Sequence, residues 1–275
     1  MTQISAAEVN KLRKMTGAGM MDCKKALQES EGDVEKAIDY LRKKGQKVAS
    51  KRADREANEG MVIARTTADK QFGVVLMLNC ETDFVGKNQE FQDFANMLTD
   101  LAIQNQCKST EELMAVKLDG ITVSDKLAEM IGKTGEKMDI SGYAHIEAAE
   151  VAAYNHQGNR LATILGLNKV GFGELGHEIA MQVAAMAPVA VDENGVPADI
   201  RERELEIGRE QARQEGKPEN MIDRIAEGKL NKFFKENTLL NQQYIRDSKL
   251  NVAEHIKAQD KDLQITGFFR LMLGE

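Results

Sequence analysis

Four histidines stand in the chain, His145, His156, His177 and His255, and one of them opens a stretch with the look of metal chemistry. His177-Glu178-Ile179-Ala180-Met181 starts as a zinc-protease helix starts. That motif needs two histidines one helical turn apart to grip the metal, and Met181 occupies the second position. Cys80 closes an apolar run and reads as a buried structural thiol rather than a nucleophile. No GxSxG, P-loop or GxGxxG sequence occurs, so the common hydrolase and nucleotide-binding signatures are missing. These residues point to a protein that makes no covalent change itself.

Two other stretches hold groups suited to recognition. Glu81-Thr82-Asp83-Phe84-Val85-Gly86 interrupts the chain after an apolar strand and before a helix, a place where loops present functional groups on a rigid base. Two readings stand side by side. Either Asp83 caps a turn while Phe84 tucks into the core, or the aromatic and its acidic neighbour are offered outward. Thr16-Gly17-Ala18-Gly19-Met20-Met21 poses the same choice. Its glycines permit a sharp turn, and adjacent helical residues point about 100° apart. One methionine can therefore face inward while the other lies exposed beside Arg13 as a docking patch; packing of both is the alternative.

The elements that must position these groups follow from periodicity. Ser5-Ala6-Ala7-Glu8 is a capping box, and Val9 and Leu12 follow on one helical face, with Met15 nearby. A second helix over 20–30 offers Met20, Cys23, Ala26 and Leu27 at helical spacing. Asp33 is a good N-cap for a third helix, with Val34, Ala37, Ile38 and Leu41 as its inward stripe and Gly45 as its stop. Residues 46–59 are polar, charged and poor in apolar periodicity, which reads as a linker with room for a helical stretch.

Two similar units come next. The first has strands over 61–66 and 72–79, a turn around Ala68-Asp69-Lys70, and a helix over 88–104 carrying Phe91, Phe94, Ala95, Leu98 and Ala102. The second has strands over 145–154 and 160–167 and a helix over 174–187 bearing Ile179, Val183 and Met186. Val74 aligns with Leu161 at an offset of 87, with poor residue identity, so a duplication is only suggested. Amphipathic helical segments over 109–117 and 123–134 lie between the units. Highly charged helical runs over 198–215 and 218–234 flank Gly216-Lys217 and describe an antiparallel hairpin. In it Ile200, Leu205 and Ala212 face Met221, Ile222, Ile225 and Phe233; pairing with another chain is the rival explanation. Residues 265–273 have strand character and are expected to return to the second sheet. The class is α+β, small antiparallel sheets backed by helices.

Composition narrows the partners. The 275 residues are 42% hydrophobic with a net charge of −7, which allows a sizeable core and argues against a chain built to hold nucleic acid through phosphate contacts. Basic stretches exist at Lys43-Lys44 and over 47–55, within an acidic balance. Cys23, Cys80 and Cys107 are too few and scattered for a disulfide framework or a metal knuckle. No secretory leader is visible and no apolar run approaches the roughly 20 residues of a membrane span. A reducing, cytosolic home is expected, with no membrane and no cofactor.

The stretch from Leu12 to Leu27, with Thr16-Gly17-Ala18-Gly19-Met20-Met21-Asp22-Cys23-Lys24-Lys25 at its heart, resembles the N-terminal signature of the elongation factor Ts family. Glu81-Thr82-Asp83-Phe84-Val85 is similar to that family's second signature, and weaker likeness continues through Tyr154-Asn155-His156, residues 177–185, the charged hairpin and Gly267-Phe268-Phe269-Arg270. The resemblance implies a ubiquitin-associated-like three-helix bundle at 1–45, a linker at 46–59, and a two-part core at 60–140 and 141–275. A coiled-coil hairpin is inserted at about 198–235. It implies a guanine-nucleotide exchange factor for the GTPase elongation factor Tu, acting alone or as a homodimer or 2:2 complex. Carried over by motif position, Thr82, Asp83, Phe84 and Val85 would dislocate the partner's Mg²⁺, and Arg13, Met20, Met21 and Lys24 would contact the same domain of the partner. His156 would face a second partner domain. Longer members continue past the equivalent of Gly274-Glu275 with a further helix, so that contact is not expected here.

Three rivals remain at this level. A ubiquitin-associated-type adaptor would bind peptides and leave nucleotide kinetics untouched. An RNA-binding accessory would show affinity falling steeply with salt. An enzyme would need a nucleophile and base that the motifs do not supply.

Overall fold

The computed structural model describes residues 4–118 and 120–275; residues 1–3 of the span read as a helical bundle lie outside the described residues. Helices α1 (Ala6–Thr16), α2 (Met20–Glu29) and α3 (Val34–Lys51) form that bundle. Ser5 caps α1 as expected: its hydroxyl accepts the Glu8 N–H, and Glu8 accepts the Ser5 N–H at 2.7 Å. Val9, Leu12, Cys23, Ala26, Leu27 and Ala37 make its core.

The third helix does not stop at Gly45. It runs on to Lys51, because Gly45 is a packing position and not a terminus. Helix α3 crosses the later helix α7 (Val123–Thr134) there, backbone against backbone. A Cβ on Gly132 of α7 would stand 2.9 Å from the Gly45 Cα, and one on Gly45 would collide with the Ala128 carbonyl oxygen. The Arg42–Glu129 ion pair, at 3.0 Å, flanks the crossing. Half of the stretch read as a linker is therefore the arm that docks the bundle on the core.

Strands β1 (Glu59–Thr66) and β2 (Phe72–Cys80) pair antiparallel about the expected turn. After β2 come the one-turn helix α4 (Asp83–Gly86), α5 (Gln89–Gln104), α6 (Thr110–Ala115), the small ladder β3 (Lys117–Leu118) with β4 (Ile121–Thr122), and α7. The reading of 145–154 as one strand is wrong. Two strands lie there, β5 (Met138–Glu147) and β6 (Glu150–Asn155), and β5 pairs with β2 to complete the first sheet. A division of the core at 140/141 thus runs through a strand. Ala148 and Val151 donate N–H groups to the Gln71 and Lys70 carbonyls where the chain crosses between sheets. Neither Gly nor Pro marks the break, which falls at Ala148-Ala149 between Glu147 and Glu150.

The second sheet orders β10 (Ile265–Met272), β7 (Leu161–Leu167) and β6, so the terminal strand returns as expected. Helices α8 (Gly173–Met186) and α11 (Val252–Gln259) cover its outer face, through Leu165, Leu167, Ile179, Val183 and Ile256. Helices α5, α6 and α7 cover the outer face of the first sheet. The inner faces meet through Val62, Ala64, Val75, Ile146, Val151, Ala162 and Ile164. The layers run helix, sheet, sheet, helix. Central strand β2 is buried on both faces, which explains its nearly unbroken apolar sequence.

The hairpin of α9 (Ala198–Gln214) and α10 (Glu219–Asn237) closes within the chain. Its seam differs in detail from the expected one. Ala212 and Ile222 are buried but Met221 is exposed, and the closest approach is Gly208 against Ala226, with Leu230 and Phe234 below. The small ladder β8 (Gln243–Tyr244) with β9 (Asp247–Asn251) follows the hairpin.

A Gly45→Val substitution is expected to destabilise the chain by about 1–3 kcal/mol, because the overpacked crossing has backbone on both sides and cannot yield. Urea denaturation measures it, and an unchanged midpoint would mean that the crossing carries no stability.

Candidate functional site

Cys80 ends β2 fully buried, and its thiol donates to the Thr82 carbonyl at 3.2 Å. Burial first, then the Glu136 and Glu59 carboxylates, push the thiol up to about 12. The structural role expected of it holds. Glu81 is held from two directions. The Arg52 guanidinium donates to its carboxylate at 2.6 and 2.8 Å, and the Lys137 N–H donates at 2.6 Å. Those contacts, led by the Lys137 N–H, keep the Glu81 carboxyl below the usual range.

Thr82 then caps α4. Its hydroxyl accepts the Val85 N–H at 3.4 Å while donating to Glu136 at 2.8 Å, and its own N–H donates to the second Glu136 oxygen at 3.1 Å. Val85 turns inward against the first core. The next two side chains do the reverse. Phe84 is 83% exposed, which rules out the reading that tucks it into the core. Asp83 pairs with Lys87 at 2.6 Å across one helical turn, and the bond from Lys87, with its charge, holds the Asp83 carboxyl below its ordinary range. Gly86 has no left-handed backbone and meets its neighbours at ordinary distances, so the turn's shape comes from the Thr82 cap.

In the bundle both methionines face solvent: Met20 is 53% and Met21 73% exposed. The inward reading of Met20 fails because Cys23, Ala26 and Leu27 already fill the core stripe. Arg13 and Lys24 are exposed as well, and Met15 adds apolar surface beside them. Gly17, at a φ of 67°, ends α1. The Lys133 ammonium lies against Gly17 and pairs with Glu90 at the start of α5. One side chain therefore links the bundle's glycine turn to the helix that follows the Asp83–Phe84 turn.

His156 is exposed in the β6–β7 loop, its Nδ1 2.8 Å from the Tyr154 hydroxyl, and His177 packs edge-on to the same tyrosine at 5.5 Å. His177 Nδ1 lies 3.0 Å from the Ala153 carbonyl oxygen. This loop is clamped on the free edge of β1. The Asn155 amide makes two bonds with Ala64 at 2.7 and 2.9 Å, and the Asn159 carbonyl accepts the Val62 N–H at 2.7 Å. Gly60, two residues away on the same strand, is where α4 touches β1. The edge of β1 thus brings the Asp83–Phe84 turn and the His156 loop close together. Sequence reasoning missed Arg52, Lys87 and Glu136. Lys87 had a signal, its four-residue spacing from Asp83; Glu136, 54 residues from Thr82, had none.

Among the described residues no group of three or more His, Cys, Asp or Glu is arranged to hold a metal, and no helix is long and apolar enough to cross a membrane. A rigid scaffold that lifts an aromatic–carboxylate turn and a methionine patch into solvent has the form of a protein-binding factor. Residues 81–275 match the family model described as Elongation factor TS. The chain is 51% identical to the Elongation factor Ts of Christiangramia forsetii over 276 residues, covering 100% of both chains. Identity is again 51%, with 100% of both covered, for the Elongation factor Ts of Flavobacterium psychrophilum. It is 45% over 287 residues, again 100% of both, for that of Chlorobium phaeobacteroides. The chain belongs to the elongation factor Ts family, and so to the factors of translation elongation.

Two outcomes are expected of the site in isolation. Phe84→Ala should leave the unfolding free energy from urea denaturation within about 0.5 kcal/mol of wild type, since the ring packs against little of its own chain. Native Cys80 should resist alkylation at pH 8 and react on unfolding. Its folded pKa lies above the unfolded thiol value of about 8.5. The stability from its protonated form is therefore intact below that pH and is lost as pH climbs towards 12. Rapid alkylation of the folded chain at Cys80 would contradict that assignment.

Proposed function

We propose that this chain binds elongation factor Tu in its GDP-bound state and promotes GDP release by disturbing the Mg²⁺/phosphate site, with the turn of Thr82, Asp83, Phe84 and Val85 as the wedge. The observation that carries the reading is Phe84, 83% exposed on a turn whose preceding residues are all anchored. A GTPase holds GDP through backbone N–H groups around the phosphates and a Mg²⁺ bridging their oxygens. Displacing the metal or turning one peptide away weakens that grip, each tenfold loss being about 1.4 kcal/mol.

Burying the Phe84 ring in the partner is worth roughly 1.5–3 kcal/mol, gained only in the complex because the free chain leaves it in water. Asp83 supplies an acceptor for donors freed by the displacement. Its present partner is Lys87, and an exposed helical pair of this kind is screened by solvent and contributes little, so exchanging it costs little. Arg13, Met20, Met21 and Lys24 form a second contact on the same partner domain, and His156 beside Tyr154 a third on another domain. Reciprocity follows: a factor that weakens GDP binding is itself bound less tightly when GDP is present. The cell's GTP excess then favours the GTP form.

The test is release of fluorescent GDP from elongation factor Tu. Phe84→Ala is expected to slow the stimulated rate by about ten- to a hundredfold, and a wild-type rate would refute the wedge. The double variant Met20→Ala, Met21→Ala is expected to raise the half-saturating concentration with a smaller effect on the maximal rate. An unchanged half-saturating concentration would remove the bundle from the interface.

A further inference from the structure

We infer that Arg52 and Glu136 are positioning residues that hold the Asp83–Phe84 turn at a fixed place relative to the helical bundle, an inference that rests on the wedge reading above. Three consecutive residues leading into the turn are tied down: Cys80 by burial, Glu81 by Arg52 and the Lys137 N–H, and Thr82 by both oxygens of Glu136. The two side chains that follow have only solvent and Lys87. Every residue just upstream of the tip is anchored, and downstream Val85 packs on the first core.

The Glu136 carboxylate does something specific. A hydroxyl has one proton, and Glu136 takes that of Thr82, which leaves the oxygen's lone pairs directed at the Val85 N–H. The cap that shapes α4 thus depends on a carboxylate 54 residues away.

Both anchors come from the helices that carry the bundle. Arg52 is the residue that caps α3, and Glu136 follows Gly135, which caps α7. Those two helices cross backbone to backbone at Gly45 and Gly132. Lys137 adds a further tie, its ammonium donating to the Ala53 and Arg55 carbonyls just past α3 at 3.0 and 2.9 Å. The methionine patch and the Phe84 turn are mounted on one rigid pair of helices. They meet a partner as two points of fixed separation rather than as two independent contacts.

The experiment compares Glu136→Ala, Glu136→Gln and Arg52→Gln in the full chain. In the stimulated release of fluorescent GDP, Glu136→Ala should lower the maximal rate about tenfold while the half-saturating concentration stays within about twofold of wild type. Glu136→Gln, which keeps one acceptor oxygen, should recover part of that loss, and Arg52→Gln should fall on the same pattern. In a Phe84→Ala background the Glu136→Ala loss should vanish, since both act through one ring. Loss that adds in full to that of Phe84→Ala would overturn the inference. Amide hydrogen exchange provides a readout without the GTPase: residues 82–86 should exchange faster in Glu136→Ala, with β2 and α5 unchanged. Exchange unaltered at 82–86, or accelerated evenly through the whole core, would equally overturn it. If Phe84→Ala alone released GDP at the wild-type rate, the wedge would fail, while the amide data would still decide whether Glu136 holds the turn.

Discussion

Two three-stranded sheets meet face to face through Val62, Ala64, Val75, Ile146, Val151, Ala162 and Ile164, and every surface feature is hung from that contact. Each sheet is apolar on its inner face as well as its outer one and must cover both. Packing them together leaves the outer faces for helices, and the helices decide what is presented. On one side α7 receives α3 and the bundle beyond it; on the other, α8 and α11 brace the second sheet from which the hairpin projects. The edge of β1 is then sealed by Asn155 and Asn159, whose bonds to Ala64 and Val62 stand in for a missing strand. Those bonds occupy the middle of an edge that would otherwise be open to pairing.

Within that frame the chain leaves apolar surface in water at chosen points. Phe84, Met20 and Met21 are each more than half exposed. An exposed aromatic on a tight cap forgoes stability that inward packing would supply, and such a local inconsistency is where function is expected to sit. Rigidity underneath matters as much as exposure above, because a ring on a mobile loop loses its ordering entropy on binding and a ring on a fixed turn does not.

Charge is used differently in the hairpin. Its helices pair over a narrow seam of Gly208, Ala212, Ile222, Ala226, Leu230 and Phe234, and its remaining faces carry ion pairs such as Arg209–Asp223 at 2.8 Å. At the root, the Arg201 guanidinium lies 5.3 Å from the Phe234 ring centre, and the Val189 and Leu239 N–H groups bond the Asn237 and Ala190 carbonyls. The hairpin root is tied to the segment around Ala190 by these bonds and by the packing of Val196, Leu230 and Phe234.

How much of this was legible depended on range. The Ser5–Glu8 cap, the inward stripe of α5, the β1–β2 turn and the two hairpin helices were all readable, because each rests on neighbours three or four residues apart or on strict alternation. The turn proposed as the wedge was singled out by the likeness of Glu81-Thr82-Asp83-Phe84-Val85 to a family signature. Whether Phe84 faced in or out was not legible, since a lone aromatic after a strand suits either a core or a surface. The break between β5 and β6 was hidden, because no Gly or Pro stands between Glu147 and Glu150 and the stretch serves one long strand or two shorter ones equally well. Gly45 misled for a physical reason: glycine ends helices and also lets helices touch, and only the presence of Gly132 on another helix tells which. The grip of Glu136 on Thr82 belongs to the same class. Local order determined most of the helices and the first hairpin, and motif likeness singled out the turn proposed as the wedge. Where that turn points, and what holds it, was decided by contacts between segments far apart in the chain, which no local pattern encodes.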